Sequence, residues 1–170
     1  DLVQRANVRS AARVLAPVVM SNQVVITHGN GPQVGLLALQ QISSMAADPF
    51  PLDVLGAETE GMIGYLIEQE LSNVLPPEKL VASLLTRVLV DRRDPAFEMP
   101  TKFVGPSYDK EKADEIAHRY GWSFRQDGMR WRRVVSSPIP MDILEARVIS
   151  LLIDQNVAVI CVGGGGIPVI

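Results

Sequence analysis

The sequence predicts an α/β protein in which a mostly parallel sheet lies between layers of helices. Apolar, β-branched runs alternate along the chain with segments of helical periodicity. Two of these runs, residues 24–27 and 157–162, lead directly into glycine-rich loops, and the first loop is followed by another helical segment. A strand, a glycine-rich loop and a helix in that order form an anion-binding unit. The two loops together therefore suggest one shared site.

The composition indicates a folded protein whose partners are not nucleic acids. The chain has 170 residues, of which 47% are apolar, and a formal net charge of −3. This length is sufficient for one domain with a buried core. The only basic cluster is local, formed by Arg130, Arg132 and Arg133, so the sequence lacks a basic surface that would neutralise nucleic-acid phosphates.

Cysteine content and hydropathy predict a soluble, cytoplasmic protein. The single cysteine, Cys161, excludes an intrachain disulfide and fits a reducing compartment. No apolar stretch approaches the roughly 20 residues that span a bilayer, and residues 1–5 do not resemble a signal peptide. We therefore expect no membrane partner.

The first ninety residues predict alternating helices and strands. Helical spacing over residues 2–16 predicts that the chain opens on a helix, in the middle of a fold. After the strand at 24–27 we expect a helix over 32–44, a loop over 48–51, a helix from residue 53 or 58 to 75, and one strand over 80–90.

Residues 91–140 differ in composition from the rest and predict an inserted subdomain. They are rich in charged residues, prolines and aromatics, and they hold both tryptophans. A helix predicted over residues 109–120 ends at Gly121, and the strands of a hairpin flank Asp127-Gly128, a favoured two-residue turn.

Beyond the insertion the α/β order returns. Asp142 and Glu145 predict a capping-box start for a helix over residues 143–155, and the last strand follows. The predicted organisation is a core over residues 1–90, an insertion over 91–140 and a return to the core over 141–170.

The first glycine loop, Gly29-Asn30-Gly31, has the composition of an anion site. Glycine lets a ligand approach the backbone closely, and the Asn30 amide can bond an oxyanion. The simpler interpretation is an ordinary turn between a strand and a helix. The loop is neither a Walker A motif nor a dinucleotide-binding fingerprint, because the glycine and lysine spacing of those motifs is missing.

Four consecutive glycines, Gly163, Gly164, Gly165 and Gly166, form the second loop. Ordering four glycines costs more conformational entropy than ordering any other four residues, so a close approach to a substrate explains them better than a structural role. The alternative is a flexible linker, against which the flanking Ile-Pro-Val-Ile sequence argues.

Four motifs resemble those of carbamate kinases, in the same order along the chain. They are HGNGPQVG (28–35), ETEGMIGY (58–65), PTK (100–102) and GGGGIPV (163–169). The resemblance covers essentially all 170 residues, as the N-terminal and central part of that family. It implies a three-layer αβα sandwich of the amino-acid kinase type, with an inserted helix-plus-hairpin lid subdomain.

The resemblance also implies an activity. Carbamate kinases transfer phosphate between ATP and carbamate to give ADP and carbamoyl phosphate, often toward ATP in arginine catabolism. They use Mg²⁺ with the nucleotide and are homodimers. By the same resemblance, the nucleotide-binding half and a preceding strand with its own phosphate loop lie outside this chain.

Site residues follow from the matched motifs. The resemblance places carbamate or carbamoyl phosphate between the two glycine loops, with backbone N–H groups facing its oxygens. It also implies that Lys102 reaches from the lid to the substrate and acts as the catalytic residue of this chain. Without the motif, Lys102 would be interpreted as a solvated surface lysine.

Other polar and aromatic residues have structural interpretations. His28 is expected to be a hydrogen-bonded structural histidine, and Cys161 an inert core thiol. Glu58 and Glu60 are expected at the positive end of a helix dipole. Tyr108 and Trp131 are expected to pack a small core in the insertion, and Arg132 and Arg133 to form a solvated face.

Two other functions fit the sequence. A non-catalytic fragment or assembly domain could keep the fold and lack a nucleotide site. Another amino-acid kinase, such as one that acts on acetylglutamate, is disfavoured by the PTK-bearing insertion together with ETEGMIGY.

Overall fold

The structure is a computed structural model that describes residues 2–43 and 50–170. Residues 44–49, which include the Asp48-Pro49 part of the predicted loop, lie outside this description. The helices are α1 (Leu2–Ser21), α2 (Gly31–Ser43), α3 (Leu52–Ser72), α4 (Lys110–Tyr120) and α5 (Ala146–Asp154). The strands are β1 (Val25–Ile26), β2 (Val81–Ser83), β3 (Arg87–Val90), β4 (Lys102–Tyr108), β5 (Ser123–Asp127), β6 (Arg130–Val135), β7 (Pro140–Ile143), β8 (Ala158–Ile160) and β9 (Ile167–Val169).

The described strands form three sheets of three strands each. The first has the order β1-β8-β2 and is parallel throughout. The second has the order β7-β3-β9, in which β3 pairs parallel with β9 and antiparallel with β7. The third, β4-β6-β5, is antiparallel and belongs to the insertion. This mixed arrangement of helices and sheets confirms the predicted α/β class.

The main core lies between the first sheet and helices α1 and α3. Strand β8 is central and fully buried. Val19 of α1 and Leu71 of α3 pack into the same cluster. Helix α1 continues through Pro17 to Ser21, past the predicted end at residue 16. This extension contains Val19, which is fully buried in the cluster. No helix in the described ranges is long and apolar enough to cross a membrane.

The single strand predicted over residues 80–90 is wrong, because the chain changes sheets within it. Leu84 N donates to Ile160 O beside the first sheet, whereas Thr86 O accepts from Ile167 N beside the second. The apolar composition is continuous across the break, so hydropathy alone gives no sign of it. The break places the fully buried Thr86 between the two sheets.

The predicted capping box is also wrong. Asp142 lies in strand β7, and α5 begins only at Ala146. Glu145 holds the N-cap position, but its side chain makes no capping hydrogen bond. Its carboxylate instead accepts from the backbone N of Arg87 at 2.7 Å and from Nε of Arg87 at 2.8 Å. A contact with a distant strand replaces the local cap.

The insertion has the predicted helix and hairpin. Asp109 caps α4 by accepting from Lys112 N at 2.8 Å, and Gly121 ends the helix with a φ of 67°. The hairpin turn is shifted by one residue from the prediction, because Asp127 pairs with Arg130. The turn is therefore Gly128-Met129, with the positive φ of 63° at Gly128, as a glycine-first hairpin turn requires.

The insertion contacts the core where two glycines meet. A Cβ on Gly35 of α2 would lie 2.7 Å from Cα of Gly105 in β4, which is closer than real Cβ atoms come to backbone. Gly105 also has a φ of 70°, which favours glycine. The approach of lid and helix therefore depends on glycine at both positions.

We expect Gly35→Ala to destabilise the protein by about 1–3 kcal/mol, because the added methyl group would push β4 away from α2. Gly56→Ala in α3 is the matched control, since its Cβ would have only an ordinary contact, 3.9 Å from Ile167 Cγ1. That substitution should stabilise the helix by roughly 0.5–1 kcal/mol. Chemical denaturation of both variants measures the difference, and equal stabilities would contradict the close approach.

Candidate functional site

The two glycine loops lie against each other. They follow β1 and β8, which are parallel neighbours with Ile26 opposite Ile160. Gly164 N donates to His28 O at 2.8 Å. A Cβ on Gly163 would lie 2.5 Å from Cε1 of His28. Side chains on the second loop would therefore displace the first.

The first loop has the available donors. The backbone N–H groups of Gly29, Asn30 and Gly31 donate to no residue in the described ranges, while Asn30 O accepts from Val34 N in the first turn of α2. Unpaired amides and the positive end of the helix dipole together favour an anion. A Cβ on Gly29 or Gly31 would meet nothing within 4 Å, so the space beside these glycines is open rather than closed by the protein.

The Asn30 side chain is fixed by helix α3. Its Nδ2 donates to Thr59 Oγ1 at 3.0 Å. Thr59 is fully buried, and its hydroxyl donates in turn to Leu55 O at 2.9 Å. This chain of hydrogen bonds holds the amide in one orientation and leaves one of its two N–H hydrogens for another partner.

Glu60 has a different role from the one expected. Helix α3 begins at Leu52, so Glu60 lies more than two turns inside it and is 1% exposed. One carboxylate oxygen accepts from Gly163 N at 2.7 Å, and the other accepts from Thr86 N at 3.1 Å. The dipole explanation is therefore wrong for Glu60, which anchors the second glycine loop. Glu58 is exposed.

Burial and hydrogen bonding act in opposite directions on Glu60. Desolvation by burial is the larger effect and raises the pKa of its carboxyl, while the amides of Thr86 and Gly163 favour the ionised form. The His28 ring lies beside the same loop. Its Nδ1 is 3.3 Å from Gly29 O, and its Nε2 is buried without a partner, so only part of the predicted hydrogen bonding is present.

The backbone amides of Gly163 to Gly166 have partners inside the protein, and the contact of these glycines with substrate stays a prediction. All four N–H groups donate inside the protein: Gly163 to Glu60, Gly164 to His28 O, Gly165 to Val162 O and Gly166 to Gly163 O. Three of these glycines have positive φ. Their conformations and their close contacts with the first loop explain the four glycines, and the loop forms a fixed wall of the site.

No contact with either loop is present for the Lys102 side chain among the described residues. Lys102 begins β4, where it pairs with Val135, and its exposed side chain makes no hydrogen bond or ion pair with another described residue. Its neighbour Phe103, however, lines a cavity of about 470 Å³ that reaches Gly31 and Pro32 at the start of α2. The lid strand thus borders open space next to the first loop. The substrate contact of Lys102 stays a prediction.

Arg132 and Arg133 of the insertion do not form the solvated face that the sequence predicts. Arg132 Nε donates to Gly105 O at 2.7 Å, and burial lowers the pKa of Arg133 to about 10. Tyr108 packs edge-on against Phe124, as expected for a small core, and Cys161 is buried.

In the part of the chain that the structure describes, no group of three or more His, Cys, Asp or Glu side chains could hold a metal ion.

Thr59 and Glu60 hold the two glycine loops in place, a role that sequence reasoning missed. Both lie on the buried face of α3, one turn after Leu55 and Gly56 respectively. Two adjacent polar residues on an otherwise apolar face are the available signal, since buried polar groups require partners. The sequence does not identify those partners, because both hydrogen-bond to distant loops.

Comparison with known proteins gives a consistent relation. The chain is 58% identical over 166 residues to a carbamate kinase of Rhizobium meliloti (strain 1021), covering 98% of this chain and 51% of that protein. It is 54% identical over 165 residues to a carbamate kinase of Haemophilus influenzae, covering 97% and 53% respectively. The chain thus spans about half the length of these relatives. No family model matches it.

Solved structures show the same relation. Carbamate kinase from Giardia lamblia bound to AMP-PNP superposes with a TM-score of 0.83 at 43% identity, covering 96% of this chain and 54% of that one. The same enzyme bound to citric acid gives a TM-score of 0.84 at 42% identity, covering 96% and 55%. These similarities confirm the predicted amino-acid kinase fold.

We expect Glu60→Gln to destabilise the protein by about 1–3 kcal/mol, because an amide cannot accept from both backbone N–H groups as the carboxyl does. A raised folded-state pKa means that Glu60 contributes most below its ordinary pKa of 4.5 and that this contribution falls as pH rises above it. The stability difference between wild type and Glu60→Gln should therefore shrink from pH 4 toward pH 7.

Urea denaturation at several pH values measures this difference. Glu58→Gln, two residues away and exposed, is the control and should show little change at any pH. A difference that grows with pH would mean that the amide hydrogen bonds outweigh burial at Glu60.

Proposed function

This chain is a homologue of the carbamate kinases along about half of their length, and from that relation we propose that it forms the carbamate-binding part of a phosphotransferase. The complete enzyme would transfer the terminal phosphoryl group of ATP to a carbamate oxygen, giving ADP and carbamoyl phosphate. The P–O bond to ADP breaks as the bond to carbamate forms, and the reverse direction would synthesise ATP.

One observation carries the proposal. The backbone N–H groups of Gly29, Asn30 and Gly31, which have no partner among the described residues, lie at the positive end of α2, and Gly31 lines an open cavity of about 470 Å³. Carbamate and carbamoyl phosphate are small oxyanions, and donors fixed before the reaction stabilise such groups without reorganisation. Phosphoryl transfer depends mainly on this kind of positioning.

The surrounding residues would keep the donors in place. Thr59 orients the Asn30 amide, and Glu60 holds the second loop against the first. Gly163, Gly164, Gly165 and Gly166 would then contact substrate through their backbone surface rather than through N–H donors. Thr59 and Glu60 are positioning residues in this proposal.

The lid would complete the site by movement. Strand β4 borders the cavity at Phe103 and Gly105, next to Lys102. Motion of the lid toward the first loop would carry the lysine charge to the substrate and exclude water. The proposal makes Lys102 the catalytic residue of this chain, and places the lid within residues 91–140 and the core in 1–90 and 141–170.

In this proposal, the residues that the structure describes do not bind the nucleotide. The AMP-PNP complex is a property of the Giardia relative. Residues in the described ranges form neither a phosphate-binding Gly-Lys-Ser/Thr loop nor a carboxylate group for Mg²⁺, so they do not fit the metal-bound nucleotide. We place ATP in the part of the relatives that this chain does not match. A homodimer, a cytoplasmic location and a role in arginine catabolism complete the proposal.

Synthesis of ATP from ADP and carbamoyl phosphate by the complete protein tests the proposal. Asn30→Ala should lower kcat/KM for carbamoyl phosphate by on the order of a hundredfold, because it removes a donor beside the transferring group. Asn22→Ala, at an exposed helix end, is the control and should be silent. No ATP synthesis by the wild type would overturn the proposed function, and activity unchanged by Asn30→Ala would overturn the assigned site.

Lys102→Met should lower kcat by at least tenfold with little effect on stability, because the side chain is exposed in the open form and acts only when the lid closes. Lys112→Met removes a lid lysine that pairs with Glu115 and serves as the matched control. Steady-state kinetics measure kcat, and thermal denaturation measures stability, for both variants. Equal activities would leave Lys102 as an ordinary surface lysine.

A further inference from the structure

A second cavity, of about 340 Å³, lies between the lid and the start of α3. Residues 50–52 line its core side, and Arg119, Tyr120, Trp122 and Arg133 line its lid side. It includes no residue of either glycine loop. Among the described residues, the lining contains two guanidinium groups and no acidic side chain, so these residues make the cavity positively charged.

Arg133 is a partly buried cation that has no acidic partner among the residues that the structure describes. Its Nε is buried and has no hydrogen-bond partner, and its guanidinium carbon lies 3.4 Å above the Trp122 ring centroid. Burial lowers its pKa to about 10, which reflects the cost of keeping this charge away from water. An unsatisfied donor on a charged group is expensive unless a partner is bound.

Three other cations of the lid have acidic partners. Lys110 pairs with Asp114, Lys112 with Glu115, and Arg132 with Asp127. Arg119 instead lies over the Tyr120 ring, with its guanidinium carbon 5.2 Å from the centroid, and has no ion pair with any residue in the described ranges. Both arginines that line this cavity therefore lack an acidic partner among the described residues.

The core side of the cavity adds further donors. Helix α3 has 21 residues and begins behind Pro51, which provides no capping side chain. The N–H groups of Leu52, Asp53 and Val54 therefore lack intrahelical acceptors, since the first of these bonds runs from Leu55 N to Pro51 O. Asp53, the acid of this first turn, is exposed and does not line the cavity.

We propose that this cavity binds a phosphate-type oxyanion, held between the arginine pair of the lid and the uncapped start of α3. The anion would neutralise Arg119 and Arg133 and would link the lid to the core at a position separate from the glycine loops. The inference does not rest on the proposed function, because it uses none of the residues assigned to carbamate. Its ligand is either free phosphate or the phosphate group of a small molecule.

A local NMR signal provides the test. The Nε–H resonance of Arg133 in the complete ¹⁵N-labelled protein, assigned by its loss in Arg133→Gln, should shift on titration with inorganic phosphate at constant ionic strength. Arg119→Ser should weaken the apparent phosphate affinity by about tenfold or more, the effect of losing one charged hydrogen-bond partner. A parallel titration with glycerol 3-phosphate distinguishes the two ligand sources. Tighter binding of inorganic phosphate indicates free phosphate, and tighter binding of glycerol 3-phosphate indicates the phosphate group of a small molecule.

Two controls keep the result specific. Arg125→Ser removes an exposed arginine of the same lid that does not line the cavity, and Asn30→Ala alters the first glycine loop. Neither should change the affinity reported by Arg133 by more than about twofold. No shift with either ligand, equal weakening by Arg119→Ser and Arg125→Ser, or loss of the shift in Asn30→Ala would each overturn the proposal.

Stability gives an independent measurement. Phosphate should raise the unfolding midpoint of Asn30→Ala, in which the first glycine loop is impaired, because a ligand that binds only the folded state stabilises it. Adding Arg119→Ser to that variant should remove most of the rise, whereas adding Arg125→Ser should retain it. Because Arg119 is exposed, we expect Arg119→Ser to fold. This comparison therefore remains available even if Arg133→Gln folds poorly. If phosphate still raises the unfolding midpoint by the full amount after Arg119→Ser is added, as it does after Arg125→Ser is added, binding at this cavity is contradicted.

Discussion

The carboxylate of Glu60 is the interaction on which the site depends. It is buried in α3 and accepts hydrogen bonds from Gly163 and Thr86, so it joins the central helix to the second glycine loop and to the point where the chain passes from the first sheet to the second. Burying this carboxyl is costly and raises its pKa, and hydrogen bonds from two backbone amides offset part of that cost. The position of the second loop then fixes the wall against which the first loop packs.

The site combines a rigid part with an open part. In the second loop every glycine N–H is used inside the protein, which makes that loop a wall. In the first loop three N–H groups have no partner within residues 2–43 and 50–170, and Gly31 borders an open cavity. The lid meets this arrangement through the glycine contact between α2 and β4, where two backbones approach without side chains. One short segment of α2 therefore joins the first loop to the insertion.

Sequence reasoning was most accurate where structure is decided locally. The helix α4 carries its own cap and its own terminating glycine, and the hairpin carries a turn glycine, so neighbouring residues determine both. The errors lie where a distant contact overrides a local signal. Glu145 bonds Arg87 instead of capping α5, and the run over residues 80–90 divides because its two halves pair with different strands.

The sequence by itself determined the fold class, the two glycine loops that follow β1 and β8, and the motifs that relate the chain to carbamate kinases. Only the tertiary structure decided which of the loop amides remain free, because Glu60 and Gly163 lie 103 residues apart in sequence. It also decided that Arg133 lacks an acidic partner among the described residues, since the cavity beside it is lined by the start of α3, the end of α4 and Trp122. Helix and turn signals act over a few residues, whereas burial and charge pairing depend on segments that only folding brings together.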